Sequence, residues 1–337
     1  MILRLMACAW AAGGLAGCEA ADDPCGDGLD VTARAACARA ACEPPSAPLW
    51  AMVPVGTRVV FPEGALIAVR SSGAGTVVDE AWRAEGGLTF EHAGSITVEA
   101  RWQEALSCGD PRFLATYRVV DAMPAADEAE DADDAIAKDD ARIVAWASRV
   151  VEADWGTDLD AQWTKVEKAL GPATGAWDDA VSLGNGGALT VGFDAPFGDG
   201  PGPDFAVFEN AFSPAFLELG MVEVSSDGEH WARFATLSTQ ATSVGPYGQV
   251  DASEVMGVAG RYAGGYGTAF DLAVLAWEPE VLAGEVDLEA IAFVKVVDLI
   301  GDGATQDALG HALYDPTPTF GPAGFDLEAV GVLGAIR

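Results

Sequence analysis

The chain is short of positive charge. Against 52 Asp and Glu it carries 18 Lys and Arg and three His, a formal net charge of −34 over 337 residues. So acidic a surface repels phosphate backbones and anionic head groups, which excludes nucleic acid as a general partner and any basic route to a membrane. Histidine is as scarce. His92, His230 and His311 are far apart and show no His-Glu-x-x-His spacing. The six Cys all lie at or before Cys108, with no Cys-x-x-Cys pair and no nearby His set, which argues against a zinc site of the usual kind. No Gly-x-Ser-x-Gly elbow and no Lys-bearing phosphate loop occurs. No apolar run reaches the length of a mature membrane span. Acid pairs such as Asp204 and Glu209 arise by chance in so acidic a chain, so the expectation is a protein that is not an enzyme.

What is present is a chain that is 50% apolar, enough for two or three domains with cores of their own. Arg4 and the apolar run Leu5–Ala16 lead to Leu15-Ala16-Gly17-Cys18. That tetrapeptide resembles a bacterial lipoprotein signal, which implies removal of residues 1–17 and a lipid on Cys18. An ordinary secretory signal with a coincidental Cys is the alternative. Glu19, where inner-membrane retention commonly uses Asp, points to the outer membrane or cell surface. Cys8 leaves with the signal. Cys25, Cys37, Cys42 and Cys108 then form an even set in an oxidising compartment, which predicts two disulfides with three possible connectivities.

The remaining organisation is read from rhythm and composition. Residues 18–47 are small, Ala-rich and Cys-bearing, a stapled tether. Residues 48–121 alternate as strands do, in Thr57–Phe61, Ala65–Val69, Gly87–Phe90, Ser95–Trp102 and Phe113–Val120. Strands at that spacing predict a small Ig-like β-sandwich, a spacer. Residues 122–140 hold the acidic run 127–134 and are expected to form a solvated linker. Residues 141–337 form the last domain. Its start, with Ile143, Val144, Trp146, Val150 and Val151, fits a helix face or irregular strands. From Val181 onward the chain reads as strands: Ala188–Phe193, Phe205–Glu209, Met221–Ser226, Trp231–Ala235, Phe270–Leu275, Ala292–Asp298 and Phe325–Leu333. The fold class is therefore all-β: an Ig-like sandwich followed by a larger jelly-roll β-sandwich with long loops.

The hairpin Val222-Glu-Val-Ser-Ser-Asp-Gly-Glu-His-Trp231 resembles the Ser-x-Asp-Gly-x-x-Trp hairpin of discoidin-like, galactose-binding-like domains. Phe293–Asp298 looks like their later core strand. The region 165–333 also resembles a class of bacterial cell-surface proteins of largely unknown function. The resemblance is carried by Ala169-Leu-Gly-Pro172, Val181-Ser-Leu-Gly-Asn-Gly-Gly187, 200–210, 260–268, Asp298-Leu-Ile-Gly-Asp-Gly303, Tyr314-Asp-Pro-Thr-Pro318 and 324–330. It implies a jelly roll on the surface that binds a ligand, a glycan or a cofactor such as vitamin B12, or that serves only structure and adhesion.

Two sets of site residues follow. Calcium takes six to eight hard oxygens, and Gly-rich loops let carbonyls turn toward an ion. Asp204, Glu209, Asn210, Asp302 and Asp326 are the expected structural Ca²⁺ set. The pairing of Asp204 and Glu209 with Asp326 is drawn from jelly-roll binding domains. The competing reading is turn chemistry alone. Tyr262, Tyr266, His311, Tyr314 and Phe320 fall in Gly/Pro loops and are the expected ligand contacts. Aromatic faces there suit a sugar ring or another flat small molecule. Pinning of the loops onto the sandwich would explain the same tyrosines.

Overall fold

The structure is a computed structural model that describes residues 47–334, except 48, 63, 74–75, 80–86, 103–111, 177 and 212. The signal, the tether and Cys18, Cys25, Cys37, Cys42 and Cys108 therefore lie outside the described residues. The chain forms two compact units, one spanning 54–121 and the other 49–53 and 122 onward.

The first unit is a small sandwich. Its strands begin with β1 (Val53–Pro54), β2 (Arg58–Val60), β3 (Ala65–Gly73) and β4 (Thr76–Asp79). They continue with β5 (Gly87–Thr89), β6 (Gly94–Trp102) and β7 (Arg112–Val120). One sheet runs β1-β7-β6-β3-β4, and β2 pairs with β5. β7 shows why the sequence alternates: Phe113, Ala115, Tyr117 and Val119 are buried while their neighbours face water. Phe61 meets Phe113 edge-on at 5.5 Å and Phe90 meets Tyr117 at 4.8 Å, closing an aromatic core.

The second unit is a larger antiparallel sandwich. Its first strands are β8 (Ala135–Ala137), β9 (Ile143–Trp146), β10 (Arg149–Asp154), β11 (Val181–Ser182), β12 (Ala188–Phe197) and β13 (Phe205–Glu209). Next come β14 (Gly220–Ser225), β15 (Ala232–Arg233), β16 (Leu237–Ser238), β17 (Val255–Met256) and β18 (Val258–Ala259). The last are β19 (Tyr266–Phe270), β20 (Ile291–Asp298), β21 (Asp302–Gln306), β22 (Ala312–Tyr314) and β23 (Asp326–Leu333). One sheet runs β10-β12-β20-β14-β15, with β18 also on β14. The other runs β11-β23-β13-β19-β8, with β9 also on β23. The chain crosses between sheets at β12 to β13, β13 to β14 and β19 to β20, the alternation of a jelly roll. Between the sheets Phe193, Phe197, Phe205, Phe234 and Phe270 form a continuous aromatic cluster, with Phe205 and Phe270 stacked at 5.2 Å. Every residue of β13 is buried, as a central strand covered on both faces requires.

Two expectations need correction. The acidic segment 122–140 belongs to the second unit. Ala126, Ala129, Ala135 and Ile136 face inward, β8 pairs with β19, and Asp134 is neutralised by the buried Arg261. Small apolar residues between the acids supplied a buried face that charge density alone concealed. The strand expected at Phe270–Leu275 lies earlier, at β19. Asp271 accepts a hydrogen bond from the Ala273 N–H at 2.9 Å and starts a short 3₁₀ turn, Leu272–Leu275, instead. At the start of the domain, where a helix face and irregular strands both fit the spacing, the chain forms two strands, β9 and β10, the second with a register shift at Val150/Glu152.

Candidate functional site

Strand registers decide which loops meet. In the β13–β23 pair Glu209 lies opposite Leu327, and in the β14–β20 pair Gly220 lies opposite Asp298. The C-terminal ends of β13 and β20 and the N-terminal ends of β14 and β23 therefore share one end of the sandwich. Acidic residues occupy that end: Glu209, Glu218, Asp298, Asp315, Asp326 and Glu328. All but Asp326 are at most 4% exposed.

Each of these carboxylates is held by a short-range donor. Glu209 Oε2 accepts the Ala211 N–H at 2.8 Å and Asp315 Oδ1 accepts the Leu219 N–H at 2.9 Å. Asp298 accepts the Gly186 and Phe325 N–H groups, both at 2.7 Å. Glu218 accepts from the Thr319 hydroxyl at 2.9 Å, and Asp326 accepts from the Ser182 hydroxyl. Glu328 Oε1 takes the Thr174 and Gly175 N–H groups at 2.6 and 2.5 Å. Glycine is required twice where the loops close in. Gly324 has φ +66°, and a Cβ there would stand 2.7 Å from Asp298 Oδ1; a Cβ on Gly301 would stand 1.7 Å from the Asp315 nitrogen.

What this end lacks is positive charge. Among the described residues no Lys, Arg or His forms an ion pair with any of the six acids. Burial, then the charges of Asp326, Glu218 and Glu328, push Glu209 well above the usual carboxylate range. Burial, then Asp326, does the same to Glu218, and burial, then Asp298 and Glu218, to Asp315. Burial raises Asp298 to about 6 and Asp326 to about 7. Buried acids gathered without a counter-charge are costly unless protons or a cation neutralise them.

The expected metal set divides. Glu209 and Asp326 are part of this group. Asp204 is not: it stands at the opposite end of β13, roughly 16 Å away along a five-residue strand. There Asp204 accepts the Gly200 and Leu272 N–H groups at 2.7 and 2.8 Å, and burial raises it to about 6. With Asp199 and Asp271 it makes a tighter triad, ligand oxygens within 4.8 Å of one another. That triad is smaller and partly open to water, where acid pairs are cheap. Asp302 is exposed and accepts the Ala304 N–H at 2.8 Å, a local turn. Asn210 braces loops, its side-chain amide donating to the Ala176 carbonyl at 3.1 Å. Glu218 and Asp315 were missed. An acid between Leu217 and Leu219 in an apolar run was the available signal for Glu218.

The expected ligand residues divide as well. Tyr262 is 1% exposed and donates to Asp134 at 2.5 Å, so it pins the loop and faces no ligand. Tyr266 is half-buried against it. Tyr314 is half-buried in β22, its backbone tied to the Gln240 amide at 2.9 and 3.1 Å. His311 is exposed, with Nδ1 3.1 Å from Asp307 Oδ2. Phe320 is 53% exposed. Asn185 donates to the Thr319 carbonyl at 2.9 Å, and Thr319 donates to Glu218, so Phe320 sits directly after a residue of the acid network. Trp155 is a further exposed aromatic, which the sequence reading did not single out.

No family model matches the chain, and no curated protein does so. Among solved structures, a SusE-like protein is 8% identical, with a TM-score of 0.19, over 87% of this chain and 97% of that one. A carbohydrate-binding module of the β-sandwich superfamily, described for promiscuous specificity, is 11% identical, with a TM-score of 0.16, over 88% and 93%. Likenesses this slight carry no argument about ligand, and the fold rests on the strand pairing above.

Proposed function

We propose that the second unit is a calcium-stabilised, non-catalytic binding module for a glycan, held at the outer membrane or cell surface by a lipid on Cys18. The observation that carries this reading is the buried carboxylate group at the end of β13 and β20, which has no protein cation. Its donors are hard oxygens alone, which fit Ca²⁺ and disfavour softer metals. Glu209, Glu218, Asp298, Asp315 and Asp326 would hold the ion once their oxygens close in on it, since among the described residues only those of Asp199, Asp204 and Asp271 already lie within 4.8 Å of one another. It would supply the charge that lets these acids stay ionised together, and tie both sheets to the 315–325 loop.

The same burial argues against hydrolysis. Acids with raised proton affinity resemble an acid–base pair, but these are closed off from any substrate. A glycan is favoured as ligand because several aromatic rings reach solvent, Tyr247 among them at 58% exposed. Trp155 and Phe320 do so on loops, and Trp231 and Phe293 do so partly on the outer face of the β10-β12-β20-β14-β15 sheet. The test is binding of the full chain to a glycan array in millimolar Ca²⁺ and in EDTA. Binding that weakens in EDTA is expected; absence of binding to every glycan would contradict the reading.

A further inference from the structure

We propose that the glycan bound is uncharged and docks at the loop end of the second unit, where the rings of Phe320 and Trp155 are edged by the carboxylates of Asp158 and Asp160. This rests on the reading of the unit as a glycan-binding module. β10 ends at Asp154, opposite Ala188 of β12, which in turn lies opposite Val297 of β20. The loops that leave these strands therefore share the end that holds the buried acids.

Hydrogen bonds join three of these loops into one surface. Thr157 and Asn185 exchange backbone hydrogen bonds at 3.1 and 3.0 Å. Gly156 lies so close to this turn that a Cβ would stand 2.3 Å from the Asn185 carbonyl oxygen. Asn185 then holds Thr319 twice, its side-chain amide donating to the Thr319 carbonyl at 2.9 Å and its side-chain oxygen accepting the Thr319 N–H at 3.0 Å. On the other side of Phe320, the Gly321 N–H donates to the Asp158 carbonyl at 3.1 Å and the Gly321 carbonyl accepts the Asp160 N–H at 2.9 Å. Phe320 thus stands between two residues that are each tied by paired hydrogen bonds, yet its ring is 53% exposed. Trp155, 39% exposed, reaches the same surface one residue before Gly156. Rings on loops fixed this firmly lose little conformational freedom when a ligand stacks on them. The buried acids hold the loops from beneath: Asp298 takes the Gly186 N–H at 2.7 Å and Glu218 the Thr319 hydroxyl at 2.9 Å.

Charge decides the ligand class. Segments 154–160, 184–187, 299–305 and 318–324 hold Asp154, Asp158, Asp160 and Asp302, and no Lys, Arg or His. Of the bases nearest along the chain, Arg149 lies over the Phe293 ring and Lys295 is paired with Glu223, while Lys165 follows Asp160 by five residues. Uronates and sulfated sugars are therefore repelled. An exposed ion pair adds little in water, so the same acids do not single out an amine. What they offer is acceptors for hydroxyls. Asp158, in a left-handed conformation at φ +62°, takes the Thr157 hydroxyl at 2.8 Å and the Asn185 amide at 3.2 Å on Oδ2, and its Oδ1 takes no hydrogen bond from the described residues. Asp160 is exposed and lies beside the Phe320 loop, since a Cβ on Gly321 would stand 3.8 Å from Asp160 Oδ2. A neutral pyranose fits both features: its C–H face stacks on an aromatic ring while its hydroxyls donate to the carboxylates at the edge.

The experiment is an array of neutral, uronate-bearing, sulfated and amine-bearing oligosaccharides in millimolar Ca²⁺, probed with the full chain and with Phe320→Ala, Trp155→Ala and Asp160→Asn. Binding confined to neutral oligosaccharides is expected, weakened roughly tenfold by Phe320→Ala and several-fold by each of the others, at unchanged melting temperature. Parent binding should also hold within about twofold between about 50 and 300 mM NaCl, a readout that needs no variant. A preference for charged oligosaccharides overturns the proposal while leaving the glycan-binding reading intact. So do folded Phe320→Ala and Trp155→Ala variants that both bind as the parent does, or binding lost in Tyr247→Ala instead. Binding to none overturns both.

Discussion

Replacing Glu209 by Gln separates the two ways in which buried acids can be neutralised. Gln has the same shape and keeps an oxygen for the Ala211 N–H, but carries no charge. Without an ion, the parent must either protonate Glu209 or hold its charge against Asp326, Glu218 and Glu328. Gln does neither, so in EDTA the variant should melt at or above the parent. With Ca²⁺ the order should reverse. At a Kd of about 10⁻⁴–10⁻³ M, usual for extracellular modules, ~10 mM Ca²⁺ stabilises the parent by roughly 1.4–2.7 kcal/mol. For a unit of this size that is a rise of about 3–10 °C in Tm. The variant, short of one ligand, should gain less than about a third of that. Differential scanning calorimetry in EDTA and in Ca²⁺ reads all four values. A variant that keeps the parent's full Ca²⁺ gain, or melts several degrees lower in EDTA, refutes the reasoning.

Three further outcomes are expected. Burial, the largest influence on both, raises Asp298 to about 6 and Asp326 to about 7 in the folded chain, so their protonation stabilises the fold and that stability is lost as pH rises through these values. In EDTA the Tm of the second unit should therefore fall between about pH 5 and 8, and Ca²⁺ should suppress the fall; a rising EDTA profile contradicts this. Gly324→Ala forces a side chain into φ +66° against Asp298 and the Gly184 carbonyl, and should cost about 1–3 kcal/mol in urea unfolding and blunt the Ca²⁺ response. Arg261→Met leaves Asp134 uncompensated and should cost roughly 3–5 kcal/mol; an unchanged urea midpoint would mean that 122–140 is not part of the folded unit.

The sequence made the sheets easier to read than the site. Strands such as 113–120 and 205–209 announce themselves because inward residues are apolar at every second position, or throughout when both faces are covered. Glu209 and Asp326 are legible as members of the acid group because Gly/Asp loops flank them. Their true companions, Glu218 and Asp315, come from loops brought near only by the β14–β20 and β13–β23 registers, which no local pattern encodes. Asp204 misled for the same reason. It is five residues from Glu209 in sequence and at the far end of the strand in space. Tyr262 misled because a Gly-rich loop need not be an open one: Asp134 and Arg261 bury it. In the run 127–134 the charge is conspicuous, and the alanines that face inward, Ala129 within it and Ala126 and Ala135 beside it, are not.

Calcium at the buried acids that end β13 and β20 is what the proposed function stands on. A crystal structure of the full chain grown near neutral pH in millimolar Ca²⁺ tests it most directly. An ion bound by at least three of Glu209, Glu218, Asp298, Asp315 and Asp326 is expected. Those carboxylates closed on one another with no ion between them, or an ion only at Asp199, Asp204 and Asp271, would contradict it.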